Sequence, residues 1–140
     1  MSSTLSSAIA ASASALDVQR ARMEVAVSNL ANAESTRGPD GRPYRRREVV
    51  LETVQADANA FNVQAAGVRV AEIVQDQSEF RRRYEPSHPD ADADGFVAMP
   101  NVDVPEEMVD MLGAARAYQA NLTAIGLIRD TVQRALDLAK

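Results

Sequence analysis

Residues 103–139 read DVPEEMVDMLGAARAYQANLTAIGLIRDTVQRALDLA, and this stretch decides the fold. Steps of three and four residues select almost only apolar positions, which is typical of a coiled-coil seam that faces a partner helix turn after turn. The seam positions are Met108, Met111, Ala115, Tyr118, Leu122, Ile125, Arg129, Val132, Leu136 and Ala139. At ~1.5 Å per residue the helix is roughly 50 Å long, too long for a small domain to surround. The sequence therefore predicts a helix that needs partners.

The start of this helix is marked by Asp103, whose side chain can accept hydrogen bonds from free backbone N–H groups. Glu106, three residues later, completes a capping box. Pro105 suits a first turn, because the N–H that proline lacks would have no partner there. These residues predict a C-terminal helix over residues 103–140.

A second helix with the same spacing is predicted over residues 5–33, with Leu16, Met23 and Leu30 among its seam residues. Its serine-rich opening has poor helix propensity, but small side chains permit close packing against another helix. The pattern ends before residues 37–43, RGPDGRP, which are typical of a turn-rich loop. We expect the two helices to pair as a coiled coil and to pack against neighbouring subunits, since neither has enough partner surface within the chain.

The middle of the chain is predicted to be a small β-rich insertion. Runs rich in valine, with charged residues between them, indicate strands over residues 44–54, 68–73, 79–84 and 96–99. A loop is expected over residues 57–66 and a turn over residues 86–95. The chain then divides into an N-terminal helix (1–36), the insertion (37–102) and a C-terminal helix (103–140). The predicted fold class is mainly α with a small β-rich insertion.

Composition argues against several classes of protein. Aromatic residues are only 4% of the chain, so close helix packing through small residues is easier to build than a bulky core. The net charge of −5 argues against nucleic acid as the main partner. There is no cysteine for a thiolate metal site. No run reaches the ~18 apolar residues needed for membrane insertion, and no conventional cleaved signal peptide is expected, so export would need another route.

The acidic stretch at residues 90–95, DADADG, is similar to the opening of a calcium-binding loop. The twelfth position is Asn101 instead of a bidentate glutamate, and Pro100 precedes it. A solvated acidic turn is the main interpretation, and a calcium-binding module is the alternative.

His88, the only histidine, has no evident partner for a triad or a metal cluster. No catalytic, cofactor-binding or metal-binding residues are predicted.

Two arginine triplets lie in the insertion, at residues 45–47 and 81–83. Consecutive side chains on a strand point to opposite faces, so a triplet does not form one basic surface. Acidic residues nearby in sequence can neutralise the arginines; these are Glu48, Glu52, Glu79 and Glu85. We expect the triplets to form solvated faces or ion pairs between subunits.

Two stretches resemble one family. Residues 28–36, SNLANAEST, followed by the loop and by Tyr44, Arg45 and Arg46, resemble the N-terminal signature of bacterial flagellar rod and hook proteins. Residues 100–112, PNVDVPEEMVDML, followed by ARAYQAN at 115–121, resemble their C-terminal signature. The short middle and the turn at residues 86–96 are most similar to the proximal rod members of the flagellar basal-body rod family. The residues carrying the resemblance are Ser28, Asn29, Asn32, Pro100, Asn101, Glu107, Met108, Arg116, Tyr118 and Asn121.

The resemblance implies a non-enzymatic structural subunit of the flagellar basal body that needs no cofactor. Such proteins pass unfolded through the flagellar type III export apparatus and form the periplasmic rod that transmits torque for motility. The implied partners are other copies of the chain, other rod proteins and the export apparatus, and a contact that does not close generates a helical tube. A coiled-coil adaptor in the cytoplasm is the alternative from another class of protein.

Overall fold

The computed structural model describes residues 2–54 and 67–138, with side chains described from residue 5 onward. The chain is mainly α-helical with a β insertion between two long helices, as predicted. In chain order the elements are α1 (Ser2–Ala31), β1 (Arg47–Val54), β2 (Gly67–Gln75), β3 (Arg81–Tyr84), β4 (Phe96–Met99) and α2 (Val104–Leu138). The loop expected over residues 57–66 lies outside the described residues.

The two helices pack against each other in opposite directions. Asn29, near the end of α1, contacts Glu107 in the first turns of α2, and Arg20 lies close enough to Tyr118 for an electrostatic interaction. Moving backwards along α1 thus corresponds to moving forwards along α2. The pair brings the end of α1 and the start of α2 together, and Asn29 also bonds the backbone of Arg47 at the start of β1.

The predicted cap of α2 is confirmed. The Asp103 carboxylate accepts a hydrogen bond from the backbone N–H of Glu106 at 3.2 Å, and its carbonyl oxygen accepts from the N–H of Glu107 at 3.0 Å. Glu106 and Glu107 both lie in the first turn of the helix. Their negative charges face the positive end of the helix dipole, which favours this boundary.

The face of α2 that contacts α1 differs from the predicted seam in half of its positions. Buried or half-buried residues recur along one face, at Glu107, Met111, Ala114, Tyr118, Asn121, Ile125, Ile128 and Val132. The predicted seam shares four of these positions. Five of its other members are exposed in this chain, namely Met108, Ala115, Leu122, Arg129 and Leu136, and Ala139 lies outside the described residues. A purely apolar pattern could not identify the true face, because that face includes the polar residues Glu107 and Asn121.

The insertion forms two separate two-stranded antiparallel sheets. β1 pairs with β2 from Arg47 opposite Gln75 to Val54 opposite Gly67, with one irregularity after Val50. This hairpin packs along α1, where the N–H of Val68 donates to Ser14 Oγ at 3.2 Å. β3 pairs with β4 over four residues each. All four strands lie where the sequence predicts them, with bounds that differ by up to three residues.

The core of the described residues is small. Its buried apolar side chains are Val18, Ala26, Val97, Met99, Val102 and Ala114. Three of them come from the helices and three from β4 and the segment before α2. Such a core supplies limited hydrophobic stabilisation, so polar contacts carry much of the specificity of the fold.

Gly95 provides a test of the β3–β4 turn. Its φ of +81° disfavours any side chain, and an added Cβ would lie 2.9 Å from Tyr84 Cε2 and 3.1 Å from Pro86 Cβ. Gly95→Ala should therefore lower the free energy of unfolding by about 2–4 kcal/mol, measured by urea denaturation. Gly41→Ala is the matched control, since Gly41 has a φ of +75° but open space around it, and about 1–2 kcal/mol is expected. Equal losses in the two variants would contradict the crowded turn.

Candidate functional site: a polar junction and an exposed helix face

Asn29 is the centre of a buried hydrogen-bond network. It is 1% exposed, and its amide makes all four hydrogen bonds that an amide can make. The nitrogen donates to the carbonyl of Arg47 at 2.9 Å and to Glu107 Oε2 at 3.0 Å. The oxygen accepts from the Tyr44 hydroxyl at 2.9 Å and from the N–H of Arg47 at 3.0 Å. One side chain thereby connects α1, β1 and α2.

Glu107 brings a negative charge into this network. Its residue is 2% exposed, and its Oε1 accepts from Arg46 Nε at 2.5 Å. The Arg46 side chain is 13% exposed and also contacts Glu48, with Asp76 and Asp110 at 3.7 and 3.9 Å. Burial alone would lower the pKa of Arg46, but hydrogen bonds and charges from Glu107 and Glu48 outweigh that effect and raise it. Removing either partner would therefore leave a buried charge without its opposite charge.

Asn101 connects the segment before α2 to the residues just before β1 and just after β2. Its amide oxygen accepts from the backbone N–H of Arg46 at 2.8 Å. Its nitrogen donates to the carbonyl of Asp76 at 3.2 Å and to Ser78 Oγ at 2.8 Å. We call the group Asn29, Tyr44, Arg46, Asn101 and Glu107 the polar junction.

The structure places the ten signature residues in two groups. Six of them lie at or beside the polar junction: Ser28, Asn29, Asn32, Pro100, Asn101 and Glu107. Ser28 Oγ is 3.2 Å from the Tyr44 hydroxyl, and Asn32 donates to the carbonyl of Ser28 at 2.8 Å, which closes the end of α1. The other four lie along α2, where Met108 and Arg116 are exposed and Tyr118 and Asn121 are half-buried.

The buried ion pair of Arg46 is the feature that sequence reasoning missed. Its triplet was expected to form solvated faces or ion pairs between subunits, yet Arg46 pairs inside the chain with a residue 61 positions away. Its neighbours behave differently, because Arg47 is exposed and Arg45 binds backbone carbonyls. The available signal was the alternation of side chains along a strand, which gives each residue of a triplet its own surroundings. The expectation that Glu48 and Glu85 neutralise arginines is confirmed.

Several large apolar side chains of α2 are exposed along its length. Among the predicted interface residues, Met108 is 49% exposed, Leu122 is 47% and Leu136 is 57%. Other large apolar side chains on the same helix are equally open, namely Val109, Leu112, Leu127 and Leu138. On α1 the predicted residues Leu16, Met23 and Leu30 are half-buried. An apolar surface of this extent is typical of a face that binds another protein.

The acidic turn directs its carboxylates toward its own chain. Asp92 Oδ1 accepts from the backbone N–H of Asp94 and of Phe96 at 3.0 and 2.8 Å. Its other oxygen pairs with Arg82 at 2.9 Å. Asp90 accepts from Thr36 Oγ1 at 2.9 Å. Within residues 2–54 and 67–138, no three histidine, cysteine or acidic residues are grouped closely enough to hold a metal ion.

The polar junction predicts energetic coupling between distant parts of the sequence. Asn29→Ala removes four hydrogen bonds, including those to the Tyr44 hydroxyl and to Glu107 Oε2, so it should lower the free energy of unfolding by about 2–4 kcal/mol. In a double-mutant cycle with Glu107→Ala, we expect a coupling energy of at least about 1 kcal/mol by urea denaturation.

The control for this cycle is Asn121→Ala, because Asn121 donates only to the carbonyl of Ala117 in its own helix. About 1 kcal/mol or less should be lost in this variant. Additive effects of the Asn29 and Glu107 substitutions would show that the two residues do not meet.

Acid titration tests the conformation of the acidic turn. The backbone N–H of Phe96, with further help from Arg82, lowers the pKa of Asp92. A lowered pKa in the folded state stabilises the fold above about pH 4, the ordinary range of aspartate, and this stabilisation is lost as the pH falls through the lower value. The stability difference between the wild type and Asp92→Asn should therefore shrink from about pH 5 to about pH 2. Asp94→Asn serves as the control, and a constant difference for Asp92→Asn would rule out the bonded turn.

Comparison with known proteins places this geometry in a family. Residues 93–138 match a family model described as flagellar basal body rod FlgEFG protein C-terminal. Among the described residues, neither helix is long and apolar enough to cross a membrane.

Similar proteins cover almost the whole chain. The flagellar basal-body rod protein FlgC of Salmonella typhimurium is 44% identical over 127 residues, which is 91% of this chain and 92% of the relative. FlgC of Bacillus subtilis is 40% identical, with 92% and 94% covered, and FlgC of Borreliella burgdorferi is 38% identical, with 94% and 95% covered. These relatives are structural rod proteins. The chain therefore belongs to the FlgC family of flagellar basal-body rod proteins.

Proposed function

We propose that this chain is a structural subunit of the flagellar basal-body rod in which α1 and α2 pair as a coiled coil and the exposed face of α2 packs on neighbouring subunits. One observation carries the proposal. The helix pair is fixed at one end by the polar junction, yet α2 keeps a row of large apolar side chains in water along its length. Because α1 covers only one side of α2, the apolar side chains that it leaves exposed are available to a neighbouring subunit.

Burial of these apolar side chains against a neighbour would drive assembly. Fully burying a leucine side chain contributes about 1.5–3 kcal/mol. Leu122 and Leu136 are each about half exposed, so each could contribute roughly 1 kcal/mol more when a neighbour covers it. A stripe of several such residues is sufficient to fix a subunit that is also held by its other contacts.

The arrangement of faces suits a tube. One face of α2 is covered by α1, and we propose that the exposed side chains pack on a different surface of the neighbour, so that the contact joins unlike surfaces. Such a contact repeats into a helical assembly when its rotation does not close a ring. We infer that residues 1–36 and 103–140 form the rod core and that residues 37–102 form an insertion on the outside. Other copies of the chain and other rod proteins are the proposed partners.

Passage through the flagellar export apparatus in an unfolded state is part of the same proposal. The small core of the described residues supports it, because little apolar surface has to be exposed for the subunit to unfold. Installed in the rod, the subunit transmits torque for motility. A calcium-binding module fits less well, since Asp90 and Asp92 are engaged by Thr36, Arg37 and Arg82. A cytoplasmic adaptor fits less well because the similar proteins are basal-body rod proteins.

Leu122→Arg tests the proposed interface. Leu122 is 47% exposed in the free chain, so an arginine should be tolerated by the isolated subunit. In the assembly the same arginine would be buried without a partner, at a cost of several kcal/mol. We expect the variant to be made and exported but to give cells without completed hook–basal bodies, counted by electron microscopy.

Arg129→Leu is the control for this experiment. Arg129 lies seven residues further along the same stripe and is exposed, so the substitution adds apolar surface and should permit rods to form. A normal number of hook–basal bodies in Leu122→Arg cells would mean that this face of α2 does not contact a neighbour.

A further inference from the structure

The loop after α1 and the facing ends of the β1–β2 hairpin surround a cavity of about 540 Å³. The charged residues in its lining are four arginines and one acid, namely Arg37, Arg42, Arg45, Arg47 and Asp40. The whole chain has 20 acidic and 15 basic residues, so this cavity concentrates positive charge in a negatively charged molecule. We call it the arginine pocket.

Arg45 is held rigidly in the arginine pocket. Its guanidinium lies 4.3 Å from the centre of the Phe80 ring. Its Nη1 atom donates to the carbonyls of Asp76 and Ser78 at 2.9 and 3.0 Å. A guanidinium has five N–H donors, so a group fixed by one nitrogen still presents donors to a ligand. The site is therefore organised before any ligand binds.

Arg47 is positioned by the polar junction. Its guanidinium lies 5.8 Å from the centre of the Tyr44 ring, and the Tyr44 hydroxyl donates to Asn29. Stacking on an aromatic ring leaves the edge of a guanidinium free for hydrogen bonds. The contacts that join the end of α1 to the start of α2 thus also position one wall of the arginine pocket.

Carboxylate is the ligand chemistry that this pocket selects. Arg37 already pairs with a carboxylate, that of Asp90, at 3.2 Å. In the described part of the chain, Arg42, Arg45 and Arg47 form no salt bridge, although Arg45 interacts electrostatically with the Asp76 carboxylate. The pocket's own acid, Asp40, accepts a hydrogen bond from the backbone N–H of Arg42. Arginine forks bind carboxylates through paired, charge-assisted hydrogen bonds.

We propose that the arginine pocket binds an acidic side chain of a second copy of this chain. The net charge of −5 means that every copy presents an excess of carboxylates to its neighbours. A contact between this pocket and an acidic surface joins unlike surfaces, as a helical assembly requires. The inference rests on the proposed rod function in taking the partner to be another rod subunit.

Charge reversal of Arg42 tests the arginine pocket. Arg42 is exposed, so Arg42→Glu should leave the subunit folded. We expect self-association of the purified protein, measured by sedimentation velocity, to weaken roughly tenfold. Arg69→Glu makes the same change of charge on the exposed edge of the hairpin, outside the arginine pocket, and should have much less effect. Equal weakening in both variants, or a wild type that does not self-associate, would overturn the proposal.

Cross-linking identifies the partner directly. The chain has a single lysine, Lys140, so Arg42→Lys places a new amine in the pocket without changing the charge. A carbodiimide would join this amine to a nearby carboxylate in a mixture of ¹⁵N-labelled and unlabelled protein. We expect mass spectrometry to show a cross-link from position 42 to an aspartate or glutamate of the other isotope, absent from the wild type.

Three outcomes would count against the proposal: cross-links within one copy only, no cross-link, or a cross-link in purified basal bodies to a different rod protein. The result can be separated from a failure of the proposed function. If Arg42→Glu cells build normal rods while Leu122→Arg cells do not, the arginine pocket is not an interface, but the assembly role of α2 stands.

Discussion

The buried carboxylate of Glu107 is the constraint on which the rest of the structure depends. It is 2% exposed and lies between Arg46 and Asn29, which come from the segment just before β1 and from the other helix. A charge in this position is stable only if both partners are present, because the cost of removing it from water must be offset by hydrogen bonds and an opposite charge. Asn29 lies 78 positions away in the sequence. The helices must therefore pair in one direction and in one register.

This fixed register separates two faces of α2. Ala114, Asn121 and Ile128 lie on the face toward α1, whereas Met108 and Leu122 lie on a face that remains in water. A subunit with a small core gains its specificity from the polar junction rather than from a large volume of packed apolar side chains. It also keeps an apolar surface in water, which the proposed assembly would cover.

The sequence predicted the positions of the elements well, because helix caps, turn residues and alternating strands are local features. Asp103 marked the start of α2, and the four strands lie where valine-rich and arginine-rich runs occur. The contact face of α2 was predicted only in part, since an apolar pattern cannot include Glu107 or Asn121. The burial of Arg46 depends on a residue 61 positions away. The resemblance to rod proteins identified Asn29 and Glu107 as important, but only the folded chain brings them together.

The most direct test of the two faces uses the absence of cysteine from the chain. Leu122→Cys and Ala114→Cys each introduce one thiol, the first on the exposed face and the second at a position that is 0% exposed against α1. Maleimide labelling is compared between the free subunit and intact basal bodies, with denatured protein as the reference for complete reaction. The thiol at position 122 should react in the free subunit and be protected in the rod, and the thiol at position 114 should be protected in both. Equal labelling of position 122 in the free subunit and in the rod would contradict the assembly role of this face.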